Sequence, residues 1–123
     1  MRILIVEDED LIRKTLQRAL SLRQHEIAVA SNGNEGIELC RQLKPELVLL
    51  DLMMPVKNGF EFMAEARPNC PIIIMTAYSG DSIENFNSKD YPNVIGIIKK
   101  TFAQLEGLLL KVEELYANHI RKI

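Results

Sequence analysis

Residues 47–55 read Leu47-Val48-Leu49-Leu50-Asp51-Leu52-Met53-Met54-Pro55. Four apolar residues in a row suit a strand buried on both faces, and the aspartate stands where that strand would leave its sheet. The pattern recurs. Ile3-Leu4-Ile5-Val6 runs into Glu7-Asp8, Ile72-Ile73-Ile74-Met75 into Thr76, and Val94-Ile95-Gly96-Ile97-Ile98 into Lys99-Lys100. As parallel neighbours, these runs would bring their carboxyl ends to one edge of one sheet. Three carboxylates, a hydroxyl and an ammonium then meet in one crevice, where open α/β sheets bind ligands. Uncompensated carboxylates there repel: at ~5 Å and an effective dielectric of ~20, each pair costs roughly 3 kcal/mol. The arrangement calls for a cation, and oxygen donors suit a hard divalent one.

Helical patterns separate the runs. The first strand spans Arg2 to Val6, and the helix after it places Leu11, Ile12, Thr15, Leu16, Ala19 and Leu20 at three- and four-residue spacing. A short second strand, Glu26 to Ala30, turns through Ser31-Asn32-Gly33-Asn34 into a helix carrying Ile37, Cys40 and Leu43, which Pro45 ends. The third strand is Glu46 to Leu50. Asn58 and Glu61 have capping-box spacing for a third helix, which Pro68 stops. The fourth strand is Pro71 to Thr76. Asp81 to Phe86 reads as a short helix, Ser88 to Asn93 as loop, and Val94 to Lys99 as the fifth strand. A last helix from Phe102 to His119 carries Phe102, Leu105, Leu109, Val112 and Tyr116 on one stripe, with Thr101 and Gln104 spaced as its capping box. This βαβ alternation predicts a doubly wound α/β fold, a five-stranded parallel sheet flanked by helices.

The 123 residues fit one domain over 1–123, with no output domain visible. Apolar residues make up 47% and charged residues 26%, as in soluble globular proteins. A net charge of −2 gives no footprint for direct nucleic-acid binding. The apolar runs are too short to span a membrane, and Met1-Arg2-Ile3 enters a strand directly, so no signal peptide is expected and the location is expected to be cytoplasmic. Cys40 and Cys70 match no metal spacing and are read as two buried free thiols. His25 and His119 are read as surface residues.

The segments Ile3-Leu4-Ile5-Val6-Glu7-Asp8-Glu9, Leu49-Leu50-Asp51-Leu52-Met53-Met54-Pro55 with Asn58-Gly59, Ile74-Met75-Thr76-Ala77 and Lys100-Thr101-Phe102 resemble the receiver domain of bacterial two-component response regulators. The likeness covers essentially the whole chain. It implies a flavodoxin-like sheet of order 2-1-3-4-5. It implies Asp51 as phosphoacceptor, a carboxylate nucleophile forming an acyl phosphate. Asp8, Asp51 and the backbone carbonyl of Met53 would hold Mg2+, with Glu7 acting mostly through metal-bound water. Lys100 and the Thr76 hydroxyl would contact phosphoryl oxygens. The implied donor is a sensor histidine kinase or a histidine phosphotransfer protein. The implied output is a downstream protein or a fused output domain, with a homodimer also open.

The chain departs from the family pattern in places. Thr101 follows the lysine where proline is usual. A cis bond there costs about 2.5–4 kcal/mol, so either a trans bond with a shifted loop or a strained exception is expected. Phe102 stands two residues after Lys100, which favours Lys100 over Lys99 as the site lysine. Ile97 occupies a position that is often aromatic, which leaves either backbone movement after Thr76 or a muted switch. Met53 and Tyr78, both bulky, stand at positions that in the family flank the path of hydrolytic water, so the resemblance implies slow dephosphorylation. Two other readings are a phosphorylation-independent interaction module and an aspartyl-phosphate hydrolase of the haloacid dehalogenase type. In the latter a second aspartate would stand where Met53 does.

Overall fold

The computed structural model describes residues 1–77, 89–100 and 107–122. Its elements are β1 (Arg2–Val6), α1 (Asp10–Ser21), β2 (Glu26–Ala30), α2 (Gly33–Leu43), β3 (Leu47–Asp51), α3 (Gly59–Ala66), β4 (Ile72–Thr76), β5 (Val94–Lys99) and α4 (Leu108–Arg121). The short helix expected over Asp81–Phe86, Tyr78, the Lys100–Thr101 bond and the expected start of the last helix lie outside the described residues. Among the described residues, no helix is long and apolar enough to cross a membrane.

The five strands form one parallel sheet in the order β2-β1-β3-β4-β5. This is the doubly wound, flavodoxin-like arrangement. Three strand limits differ from the sequence reading, the first being that β3 starts at Leu47 rather than Glu46. Asp51 is the last residue of β3, opposite Met75, rather than the first residue after it. β4 starts at Ile72, because Pro71 has no N–H to give the ladder, although its carbonyl still accepts from Val48.

Alternation along the strands divides the core into two layers. Leu4, Val6, Val48, Leu50, Ile72 and Ile74 face α2 and α3, and pack with Ile37, Cys40, Phe62 and Met63. Ile3, Ile5, Leu47, Leu49, Ile73 and Met75 face α1 and α4, and pack with Leu16, Leu20, Leu108 and Val112. Each buried aliphatic side chain contributes about 1.5–3 kcal/mol, so these layers dominate the stability of the sheet. Helix entry differs from element to element. Asn58 and Glu61 form the predicted capping box on α3, and Asn32 caps α2 by accepting from the Glu35 N–H. The α1 N-cap, Glu9, makes no side-chain cap bond.

A bulge in β5 decides which lysine reaches the site. Val94 lies opposite Ile72, but Gly96 lies opposite Ile73, so Ile95 is an extra residue. Gly96 therefore shares a face with Ile73, towards α4, where a Cβ would come within 2.5 Å of Leu115 Cδ1. Downstream, Ile97 packs on the α2/α3 layer and Ile98 on the α1/α4 layer. Lys100, two residues past Ile98, falls on the α1/α4 side. Glu7 and Asp51 share that side, two residues past Ile5 and Leu49.

Candidate functional site

Asp51 is 2% exposed at the C-terminal end of β3. Its Oδ1 accepts a hydrogen bond from the Met53 N–H at 3.2 Å, and its Oδ2 lies 3.0 Å from Lys100 Nζ. Gly59 makes room beneath it: a Cβ there would come within 2.8 Å of the Asp51 carbonyl oxygen, so α3 can start directly under the strand end. Glu7 is fully buried. Its Oε1 lies 2.5 Å from Lys100 Nζ, and its Oε2 accepts from the Glu9 N–H at 3.3 Å. Asp8 is half-buried at the mouth. One carboxylate oxygen each from Glu7, Asp8 and Asp51 lies within 4.8 Å of the others.

The Lys100 side chain is 4% exposed and also lies 3.8 Å from the Glu9 carboxylate. Its backbone N–H donates to the Thr76 carbonyl at 2.6 Å, which ties the ends of β4 and β5. Thr76 is buried at the end of β4, opposite Lys99 in the sheet register. Lys99 is exposed. Glu7, Asp8, Asp51 and Lys100 are thus brought together, and Thr76 adjoins them through its backbone. Met53 is exposed at the rim and contributes its N–H to Asp51.

Burial sets the electrostatics. It pushes the Glu7 carboxyl up to about 8; the neighbouring Asp51 adds to the rise and Lys100 opposes it. Asp51 is raised as well, first by burial and further by Asp8, with Glu7 and Lys100 pulling the other way. Burial alone would lower Lys100, but its bonds to Glu7 and Asp51 outweigh that and raise it. The ammonium therefore stays charged beside carboxyl groups that desolvation shifts towards their neutral forms.

The donor set fits a hard divalent cation. Three carboxylate oxygens converge, and Glu7 Oε1 is buried without accepting a hydrogen bond among the described residues, its contact with Lys100 being an ion pair. Mg2+ takes one or two carboxylates and keeps several waters, which matches a site with a half-buried mouth.

Sequence reasoning missed two residues here. Glu9 approaches Lys100, and Arg13 reaches back from α1 to donate to the Glu7 carbonyl at 2.9 Å. The three-residue spacing of Asp10 and Arg13 was the available signal for the second. Elsewhere, Cys70 is half-buried rather than buried. It lines one cavity of about 470 Å³ with Cys40, and burial, with Cys40 beside it, pushes its thiol up to about 12. Such a thiol is a poor nucleophile. His25 is half-buried rather than a free surface residue, with Nδ1 3.1 Å from the Met1 nitrogen.

Comparison with known proteins agrees with this geometry. Residues 3–112 match the family described as response regulator receiver domain. The chain is 32% identical over 118 residues to the response regulator MprA of Mycolicibacterium vanbaalenii, which covers 94% of this chain and 50% of the relative. It is 38% identical over 81 residues to the transcriptional regulatory protein AfsQ1 of Streptomyces coelicolor, covering 64% of this chain and 36% of the relative. The chain thus spans half or less of the length of these curated relatives. A solved response regulator receiver domain protein, described as CheY-like, from Methanospirillum hungatei matches with a TM-score of 0.83 and 26% identity, over 99% of this chain and 98% of that one. Fold, converging acids and family match lead to one assignment: the chain belongs to the response regulator receiver domain family.

Proposed function

We propose that this receiver domain accepts a phosphoryl group on Asp51 from a sensor histidine kinase or a histidine phosphotransfer protein, with Mg2+ as cofactor. The supporting observation is the convergence of the Glu7, Asp8 and Asp51 oxygens within 4.8 Å, with Lys100 Nζ 3.0 Å from Asp51. Glu7, Asp8, Asp51 and the Met53 backbone carbonyl would hold the ion. When bound, it supplies neutralisation of charge on the phosphoryl oxygens. An Asp51 carboxylate oxygen attacks phosphorus; the O–P bond forms as the P–N bond to the donor imidazole breaks, and the bond's electron pair leaves with that nitrogen. The Met53 N–H fixes one Asp51 oxygen, which orients the other. The Lys100 ammonium transfers part of its pairing from the carboxylate to a phosphoryl oxygen, and the Thr76 hydroxyl takes another.

The role is that of a phosphoacceptor, not an enzyme of turnover. Met53 stands where a hydrolase of the dehalogenase type would carry its second aspartate, and its bulk slows the attack of water. Because the Lys100 N–H is bonded to the Thr76 carbonyl, movement of either residue towards the phosphoryl carries both loops. Ile97, packed on the α2/α3 layer, has no ring to reorient, so the signal travels by backbone displacement. Coupling of about 1–3 kcal/mol shifts partner affinity five- to 150-fold. The output is a fused domain or a separate downstream protein, with homodimerisation as a further route. A single receiver over residues 1–123 contacts no nucleic acid directly and works in the cytoplasm.

The test is incubation with acetyl phosphate and Mg2+ followed by intact-mass measurement. The expected result is a gain of one phosphoryl group, lost in Asp51→Asn; no gain in the parent chain overturns the reading. The absence of an aromatic at Ile97 favours a second reading, a phosphorylation-independent interaction module. Beryllofluoride with Mg2+ separates the two, since a receiver shifts its amide resonances around Asp51 and Thr76 and a bare scaffold does not.

A further inference from the structure

Four acids stand in a row at Glu7, Asp8, Glu9 and Asp10, spanning the whole passage from β1 into α1. Glu7 and Asp8 point carboxylates at one spot, although neighbouring side chains in a strand point to opposite faces. The chain must therefore turn sharply at this point and be held there. The usual fastener is missing, because the N-cap Glu9 makes no side-chain cap bond. Its N–H is instead given to Glu7 Oε2 at 3.3 Å. The last ladder bond of this strand end is the Glu7 N–H to the Ala30 carbonyl at 3.0 Å.

Arg13 supplies the hold. It sits one turn into α1, with its side chain 14% exposed. Its guanidinium folds back so that Nη1 donates to the Glu7 carbonyl at 2.9 Å, while Nη2 pairs with the Asp10 carboxylate. A planar fork with fixed donors bridges two acceptors in a set geometry, which an ammonium on a flexible stem does not impose. We propose that Arg13 is a positioning residue of the acidic site: its fork clamps the β1–α1 turn and so holds the Glu7 and Asp8 carboxylates at the spacing a divalent cation requires. The proposal rests on the metal-dependent reading above. It assigns the residue a role through Glu7, not contact with the phosphoryl group.

The electrostatic alternative has the opposite sign, which makes the idea testable. A bare positive charge near a cation site repels the cation, so removing it would tighten binding. A clamp orients ligands, so removing it loosens binding, by about tenfold for a group that supports metal ligands. The experiment is Mn2+ titration of the full chain, unphosphorylated, followed by electron paramagnetic resonance. The expected result is about tenfold weaker Mn2+ binding in Arg13→Met. Arg13→Lys, which keeps the charge but not the planar fork, recovers part of the loss, and Asp10→Asn, which frees the outer half of the fork, falls between parent and Arg13→Met. Equal or tighter binding in Arg13→Met overturns the proposal. If Arg13→Met fails to fold by circular dichroism, Asp10→Asn and Arg13→Lys carry the test, and parental affinity in both overturns it. If the parent chain itself binds no Mn2+, the metal-dependent reading falls and the clamp falls with it. Binding by the parent that Arg13→Met retains removes only the clamp.

Discussion

Two turns bring carboxylates to the same point by opposite means. Between β1 and α1 lie three residues, all acidic, and the helix they enter has no side-chain cap. Between β3 and α3 lie seven, and α3 is entered through a complete capping box on Asn58 and Glu61. The longer loop can afford local strain. Val56 has φ 71° and is 84% exposed, and the Lys57 N–H bonds back to the Pro55 carbonyl at 2.8 Å. This is a positive-φ γ-turn, unfavourable for a β-branched residue. The difference reflects what each turn delivers. The β3 turn starts from an acid still held in the sheet ladder, so its loop settles its own hydrogen bonds. The β1 turn must place two acids beyond the ladder, and the N–H of its N-cap residue, Glu9, is given to Glu7.

The largest expected effect is on pH dependence. The Glu7 carboxyl titrates at about 8 in the fold against an ordinary 4.5, so the unfolded chain gives up that proton first. The stability it contributes is complete below about pH 4.5 and is lost as pH rises through 8, with a slope of up to ~1.4 kcal/mol per pH unit. Asp51, also raised, works in the same direction. Urea unfolding in EDTA between about pH 5 and about pH 8 should show the decline, and Glu7→Gln should flatten it. A parent curve that rises with pH would break the assignment.

Next comes a contrast between lysines. Lys100→Met strands buried carboxylates and should cost about 3 kcal/mol in urea at pH 8. Lys57 in the other turn contacts Glu65 at 2.5 Å near the surface, yet Lys57→Met should cost no more than ~1 kcal/mol. Equal losses would mean that burial does not distinguish the two turns. The caps give a smaller contrast: Asn58→Ala should lose about 1 kcal/mol, and Glu9→Ala, with no cap bond to lose, a few tenths. The smallest effect is a gain. Val56→Gly relieves the strained turn but loosens the unfolded chain, for a net stabilisation of about 0.5 kcal/mol by thermal denaturation.

The strands were legible because a sheet covered on both faces demands unbroken apolar runs, as at Ile3–Val6 and Ile72–Met75. The acids at their ends could be located for the same reason. The Asn58–Glu61 box was legible because it is local. What escaped depends on long-range register. Straight alternation from Val94 would turn Lys99 towards the acids, whereas the extra residue Ile95 passes that place to Lys100. The Phe102 spacing favoured Lys100 without giving this reason. Nor does composition reveal that Arg13 bends back over its own helix start, or that Val56, Lys44 and Arg67 hold positive φ without being glycine.

Lys100 gives the pocket its own built-in counterion. In the resting molecule the ammonium already pairs with Glu7 and Asp51, so the acids do not face one another without a counter-charge. On the metal-dependent reading proposed above, these residues would exchange a tethered monovalent partner for a dication. Lys100 would then be released in the same event, with its ammonium already beside an oxygen of the proposed acceptor, Asp51.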